Sequence, residues 1–251
     1  MTIVCTGFHP AGYKEYGERF IETFVAHWPW KVKLLCYTEQ PIAMTRGVCQ
    51  SLWRCDGTAD FIKRHAKNKE VQGRVPRPCW TPRDRVRGYS YRTDAYKFFK
   101  QLLIPEDAAC RLGDGEVLCW LDGDVVTLKA VPEGFVEGLI GDFDLVYLGR
   151  KRRHSEIGFW AVRLNKTTRA FLHQIAQTYR SDAFMALEEW HSAWIWDHCR
   201  REAEANGLRA RDLTPGKEGH VWCESPLAEW TDHLKGARKR LGASPERTNQ
   251  K

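Results

Sequence analysis

The chain has 251 residues and a mass of 29.1 kDa, 43% hydrophobic and 28% charged, which excludes a disordered or fibrous polypeptide and fits one α/β domain with a sizeable core. Lys and Arg outnumber Asp and Glu by 39 to 32, and the resulting charge of +7 admits an anionic partner such as a nucleotide, a nucleic acid or a membrane headgroup without requiring one. No apolar run approaches the roughly 18 residues of a membrane span, and Met1–Cys5 has no basic region of the kind that opens a signal peptide. The nine Cys, an odd number without a CxxC pair, read as reduced thiols of a cytoplasmic protein rather than a disulfide framework. Cys49, Cys55, His65 and Cys79 match no common zinc spacing.

The predicted elements begin with a short β-prone segment, Ile3–Cys5, broken by Gly7 and by Pro10-Ala11-Gly12. Tyr16, Phe20, Phe24 and Trp28 then recur every four residues, with Ile21 and Val25 beside them, as one face of a helix that Pro29 ends. Val32–Tyr37 is a compact apolar run, read as a second buried strand. This β-α-β opening predicts an α/β fold, a mostly parallel sheet with helices on both faces.

Residues 40 to 90 are less regular. The basic cluster 63–69 (Lys63, Arg64, His65, Lys67, Lys69) is followed by Arg74, Arg77, Arg83, Arg85 and Arg87 among prolines and glycines. A solvated helix with an exposed loop accounts for it; an acceptor-side loop over an anionic substrate is the sharper reading. Arg92–Leu103 reads as a helix through Tyr96, Phe99 and Leu103, closed by Pro105. Val117–Leu121 is the clearest buried strand. Further strands are expected at Leu145–Leu148 and Gly158–Val162, and helices at Thr167–Tyr179 and Asp182–Asn206. The last residues, from 241 on, read as a frayed basic tail.

Two motifs carry chemistry. Asp122-Gly123-Asp124 follows the buried strand directly, at the end of a strand where α/β sheets usually bind ligands. Two carboxylates there suit a hard divalent cation that keeps open positions for phosphate oxygens. An acidic turn alone is a weak signal; the apolar run before it strengthens it. His233-Leu234-Lys235-Gly236-Ala237-Arg238-Lys239 is an HxxGxxK pattern, with an imidazole for a metal, a Gly that lets the backbone approach a phosphate, and a Lys to neutralise it.

With these residues the chain resembles a GT-A fold glycosyltransferase that uses a nucleotide-diphosphate sugar, and within that class the retaining glycogenin and lipopolysaccharide galactosyltransferase group. Thr6-Gly7-Phe8, with Tyr13 and Tyr16 after it, resembles the nucleotide-binding start of that group. Small phage and bacterial proteins of this type carry a stretch like Ser155–Phe159. The resemblance covers residues 2–40 and 90–240 and leaves 40–90 unexplained. It implies one domain over 1–240, with a nucleotide-binding half to about 125 and an acceptor half after it. It implies Mn²⁺ or Mg²⁺ held by Asp122, Asp124 and His233, and a UDP-sugar or similar donor bound through Thr6, Gly7, Tyr13, Arg92, Gly236 and Lys239. The acceptor would be a hydroxyl of a glycan or of modified nucleic acid.

The group usually carries an Asp where this chain has His191 or Ser192, within Glu188–Ser192, so Glu156 and Glu189 are the candidate catalytic acids. Each also has a bland reading as a surface residue. Two other readings compete. Leu121–Val126 also fits a haloacid-dehalogenase-type phosphatase with Asp122 as nucleophile and Asp124 as acid/base. That motif normally sits on the first strand, and Asp142 and Asp144 follow too soon to serve as the second acidic motif. The basic stretches with Tyr89 and Tyr91 also fit a nucleic-acid-binding surface, though no dedicated binding signature accompanies them.

Overall fold

The computed structural model describes residues 1–75 and 88–250. Cys79, Arg77, Arg83, Arg85 and Arg87, and with them the expected acceptor-side loop, lie outside the described residues.

A seven-stranded sheet forms the centre. β1 (Thr2–Phe8), β2 (Lys33–Thr38), β3 (Val48–Ser51), β4 (Val117–Leu121), β6 (Leu145–Leu148), β7 (Glu156–Arg163) and β8 (Ala210–Asp212) run in the order β3-β2-β1-β4-β7-β6-β8. β7 is antiparallel to both its neighbours; the other pairings, β3-β2, β2-β1, β1-β4 and β6-β8, are parallel. All five residues of β4 are buried, as expected of a strand covered on both faces.

Alternation along the strands feeds two cores. Ile3, Cys5, Leu118 and Trp120 point to one face, against α2 (Thr58–His65), α3 (Ala95–Ala109), α5 (Lys166–Arg180) and α6 (Ser192–Ala205). Val4, Cys119 and Leu121 point to the other, against α1 (Glu18–His27) and α4 (Phe135–Ile140). The result is a helix–sheet–helix sandwich. Phe61 is central to the first core, its ring 4.2 Å from Phe99 and 5.8 Å from Phe184. Phe61→Ala is expected to destabilise the protein by about 3–5 kcal/mol, measured by denaturant unfolding.

Four expectations change. The first helix is preceded by helical turns over Pro10–Gly12 and Tyr13–Gly17, so the chain is helical well before Tyr16. Pro105 lies inside α3 rather than closing it. The missing N–H and ring crowding cost about 3 kcal/mol, and burial of Leu102, Leu103, Ile104, Ala108 and Ala109 around the proline offsets that. The single helix expected over 182–206 is broken. Asp182 takes a left-handed φ of 60°, a short turn spans Ala183–Ala186, and an extended segment leads to α6 at Ser192. Tertiary bonds claim that segment: Trp190 N–H donates to the Arg92 carbonyl, and the Tyr179 hydroxyl donates to the Trp190 carbonyl. The tail expected to fray is held at two described positions: Ser244 N–H and Oγ donate to Asp232 at 2.8 and 2.6 Å, and Arg247 donates to the carbonyls of Ala228 and Thr231.

The described cysteines are free thiols. His65 Nε2 is bound to Asp182 at 2.8 Å within the aromatic core, away from any zinc role with Cys49 and Cys55. Among the described residues no helix is long and apolar enough to cross a membrane.

Candidate active site

The site is built by a two-stranded ladder too short to see in sequence. β5 (Val125–Thr127) pairs antiparallel with β9 (Thr231–His233), and Val125 lies opposite His233. The acidic turn at the end of β4 is thereby brought against the start of the HxxGxxK motif, and the Leu234 N–H donates to the Asp124 carbonyl at 3.0 Å.

The side chains converge. His233 Nε2 lies 2.9 Å from Asp124 Oδ1 and 3.6 Å from Asp122 Oδ2. Asp122 Oδ1 accepts from Gln101 Nε2 at 2.8 Å and from Trp120 Nε1 at 2.9 Å, which fixes the carboxylate and leaves Oδ2 facing the imidazole. Lys239 Nζ sits 3.2 Å from Asp124 Oδ2 and 4.2 Å from the centre of the Tyr16 ring. Gly236, at φ 65°, makes the turn that carries Lys239 back.

His233 is fully buried, its ring tilted 53° against Trp222 with ring centres 4.9 Å apart. Its Nδ1 is buried, makes no hydrogen bond, and faces Glu156 Oε1 at 3.9 Å. Gly158, two residues on along β7, is where the ring passes. A Cβ there would stand 2.6 Å from His233 Cε1 and 2.9 Å from Nδ1. Glu156 is itself held by Lys235 Nζ at 3.2 Å and Arg150 Nη1 at 3.4 Å.

The electrostatics follow from burial and proximity. Burial drives the Asp122 carboxyl upward, with the His233 charge opposing it. Burial also pushes Asp124 up, but His233 and Lys239 outweigh it and hold the group below the usual range. Glu156 is lowered in the same way, burial being outweighed by Lys235, His233 and Arg150. Burial disfavours the imidazolium of His233, yet Asp124, Glu156 and Asp122 together raise its pKa. The Tyr16 hydroxyl is pushed up to about 12 by burial and by Asp124 and Asp122.

The donor set suits a divalent cation. Asp122, Glu156 and His233 can each bring one ligand atom within 4.8 Å of the others, Asp124 lies 2.9 Å from the same imidazole, and the Asp122 carboxylate is braced by Gln101 and Trp120.

The other expected residues are placed variously. The Thr6 side chain is fully buried, with no hydrogen bond to Oγ1. Gly7 packs on Ile104, whose Cδ1 would be 2.6 Å from a Cβ. Tyr13 lies edge-on to Phe8 and lines a shallow surface recess with Glu22 and Val25; Tyr16 is the aromatic that reaches Lys239. Arg92 and Glu189 belong to a second cluster. Glu189 Oε2 lies 2.8 Å from His191 Nε2 and 3.4 Å from His154 Nε2, and Oε1 lies 3.5 Å from Arg92 Nη1. Burial raises Glu189, but its bonds to His154 and His191 and the Arg92 charge hold it far below its ordinary value. Burial keeps His191 on the neutral side, against its bond to Glu189. Gln101 links the two clusters, since the Ser192 hydroxyl donates to its Oε1 at 2.7 Å. Sequence reasoning missed Gln101, Trp120, Lys235 and Arg150. Only the Trp120-x-Asp122 spacing on β4 carried a signal.

No protein-family model and no curated protein sequence matches the chain. Among solved structures it is similar to a glycosyltransferase involved in the glycosylation of the major capsid of PBCV-1, with 11% identity, a TM-score of 0.50, and coverage of 96% of this chain and 98% of that one. Mouse xyloside xylosyltransferase 1 in its apo form aligns with 8% identity and a TM-score of 0.48 over 91% of this chain and 92% of its own. The chain has the mixed α/β architecture of the GT-A type, with a mostly parallel sheet between helices. At such low identity the likeness is one of fold.

Proposed function

We propose that the protein is a metal-dependent glycosyltransferase that moves a sugar from a nucleotide-diphosphate donor, a UDP-sugar in the first instance, to a hydroxyl acceptor with retention. The observation that carries this reading is the convergence of Asp122, Asp124 and His233, with Lys239 beside them, at the carboxyl end of β4 in a GT-A sheet. A nucleophilic Asp122 in a phosphatase is disfavoured, because one of its oxygens is tied by Gln101 and Trp120 and the other faces His233.

Asp122, Asp124 and His233 would hold Mn²⁺ or Mg²⁺, which when bound supplies positive charge to the departing diphosphate. Lys239 leaves Asp124 to meet the same phosphates, adding charge where it develops during bond breaking. Glu156 acts here as a positioning residue rather than a catalytic acid. It is locked by Lys235 and Arg150, and its Oε1 lies 3.9 Å from His233 Nδ1, beyond hydrogen-bond distance but near enough for its charge to favour a proton on Nδ1 and leave Nε2 toward Asp122 and Asp124. Glu189, tied to two imidazoles and a guanidinium, orients His191 next to Ser192 and Gln101.

The test is hydrolysis of a panel of nucleotide sugars with Mn²⁺ and no acceptor, followed by NMR of the released sugar's anomer in the first turnovers. Consumption of no donor would sink the reading; an inverted anomer would remove retention alone. Lys239→Ala is expected to weaken donor binding about tenfold, the loss of one charge-assisted phosphate contact, measured by calorimetry.

A further inference from the structure

The break in the helix expected over 182–206 builds the second cluster. Leu187 and His191 are extended, so Glu189 and His191, two residues apart, face one side, which a helix would forbid. His154 meets them from the loop between β6 and β7. Both imidazoles turn Nε2 to one carboxylate oxygen, Glu189 Oε2, His191 at 2.8 Å and His154 at 3.4 Å. One donor atom from each residue lies within 4.8 Å of the other two.

Hydrogen bonding accounts for one of these contacts better than for the other. The His191 distance is that of an ordinary bond. The 3.4 Å of His154 exceeds the roughly 2.7–3.2 Å of an N–H···O bond. It matches the separation of two ligands on one tetrahedral cation, about 3.3 Å for metal–ligand distances of about 2.0–2.1 Å.

The supports that hold metal ligands in place are present. Glu189 Oε1 is turned to Arg92 Nη1 at 3.5 Å, which keeps Oε2 for the imidazoles. Trp190, between the two ligands, is fixed through its N–H by the Arg92 carbonyl and through its carbonyl by the Tyr179 hydroxyl. Arg150 Nε donates to the His154 carbonyl at 2.6 Å. The His191 ring is walled by Tyr91 and Phe98, with ring centres 5.2 and 6.0 Å away. Bracing of this kind sets ligand orientation and raises affinity. The side chains of Glu189 and His191 are 9% and 7% exposed and that of His154 32%, so the cluster opens to solvent on the His154 side.

We propose that His154, Glu189 and His191 form a second metal site, separate from Asp122, Asp124 and His233, that takes Zn²⁺ and keeps its fourth position open on the His154 side. Two imidazoles and one carboxylate are a zinc donor set, whereas Mg²⁺ and Ca²⁺ take oxygen ligands. A rival cluster, His220, Cys223 and Asp232, is less fit, because Ser244 already donates to both Asp232 oxygens. Zn²⁺ binding here is independent of the glycosyltransferase reading, since it is measured without donor sugar.

The metal-stripped full chain and its His154→Ala, Glu189→Gln and Cys223→Ser variants are titrated with Zn²⁺ by calorimetry and with Co²⁺ by visible absorption, with circular dichroism to check folding. Wild type is expected to bind one more equivalent of Zn²⁺ than His154→Ala, and the variant to lose the matching tetrahedral Co²⁺ bands. Glu189→Gln keeps the shape but loses the charge, and should weaken that equivalent by more than about 100-fold. Cys223→Ser should bind as wild type does. Equal Zn²⁺ uptake by wild type and folded His154→Ala overturns the site and leaves a hydrogen-bonded triad only. An equivalent lost from Cys223→Ser but kept by His154→Ala overturns it in favour of the rival cluster. Should His154→Ala lose its fold, Glu189→Gln decides by the same criterion. An equivalent lost from His154→Ala with none lost from Asp122→Asn leaves this site standing and defeats the metal-dependent reading of the first.

Discussion

Asp124→Asn should lower turnover of the nucleotide sugar by roughly 10³-fold, the scale of removing one preorganised electrostatic contact to a developing charge. Asp124 faces both His233 and Lys239, so its charge organises the imidazole and the lysine as well as the proposed metal. The fold should survive. Asp124 sits on the partly exposed turn after β4, and the β5–β9 ladder is held by backbone bonds that Asn leaves intact. Mn²⁺ binding by calorimetry should be lost in parallel, with far-UV circular dichroism unchanged. Turnover at the wild-type rate after EDTA treatment would dismiss the metal and the carboxylate together. Asp122→Asn should behave similarly, while keeping the acceptor role of its Oδ1 toward Gln101 and Trp120.

The second large effect is expected at a residue with no side chain. Gly158→Ala would set a methyl 2.6 Å from His233 Cε1 and 2.9 Å from Nδ1, and neither partner has room to yield. His233 is fully buried against Trp222, and Gly158 is part of β7, whose carbonyl accepts the Asp122 N–H at 2.8 Å. The ring must therefore tilt away from Asp122 and Asp124. Overpacking of this kind costs about 1–3 kcal/mol of stability. Mn²⁺ affinity should fall further, by about 10- to 100-fold, as for the loss of a support to a metal ligand. Glu156→Gln should reproduce part of the affinity loss without the steric term. A Gly158→Ala protein that binds Mn²⁺ as wild type does would show that His233 is not a ligand. Truncation after Trp230 would not isolate the role of the tail. The cut removes β9 and the buried Leu234 as well as His233 and Lys239, so lost binding would report only lost structure.

What the sequence determined by itself was whatever rests on local pattern. The unbroken apolar run Val117–Leu121 announced a strand covered on both faces, because only such a strand needs no polar side. Its abrupt end in Asp122-Gly123-Asp124 marked the carboxyl end of that strand as the candidate site. The four-residue recurrence from Phe20 to Trp28 announced α1. The tertiary structure decided the rest, for reasons of range. β5 and β9 are three residues each, too short for any periodicity, and their pairing across 109 residues from Asp124 to His233 is set by long-range register. Pro105 stays within α3 because core burial around it outweighs a local penalty. The helix expected across 182–206 breaks because Arg92 and Tyr179 claim the backbone of Trp190, which a helix would have kept for itself. The sequence pointed to Tyr13 for the donor and placed Tyr16 on a helix face, and only the fold brings Tyr16 to Lys239. Glu156 and Glu189 read as candidate acids on residue type alone. Whether a carboxylate is free to act depends on which cations surround it, and Lys235, Arg150 and Arg92 arrive from distant parts of the chain.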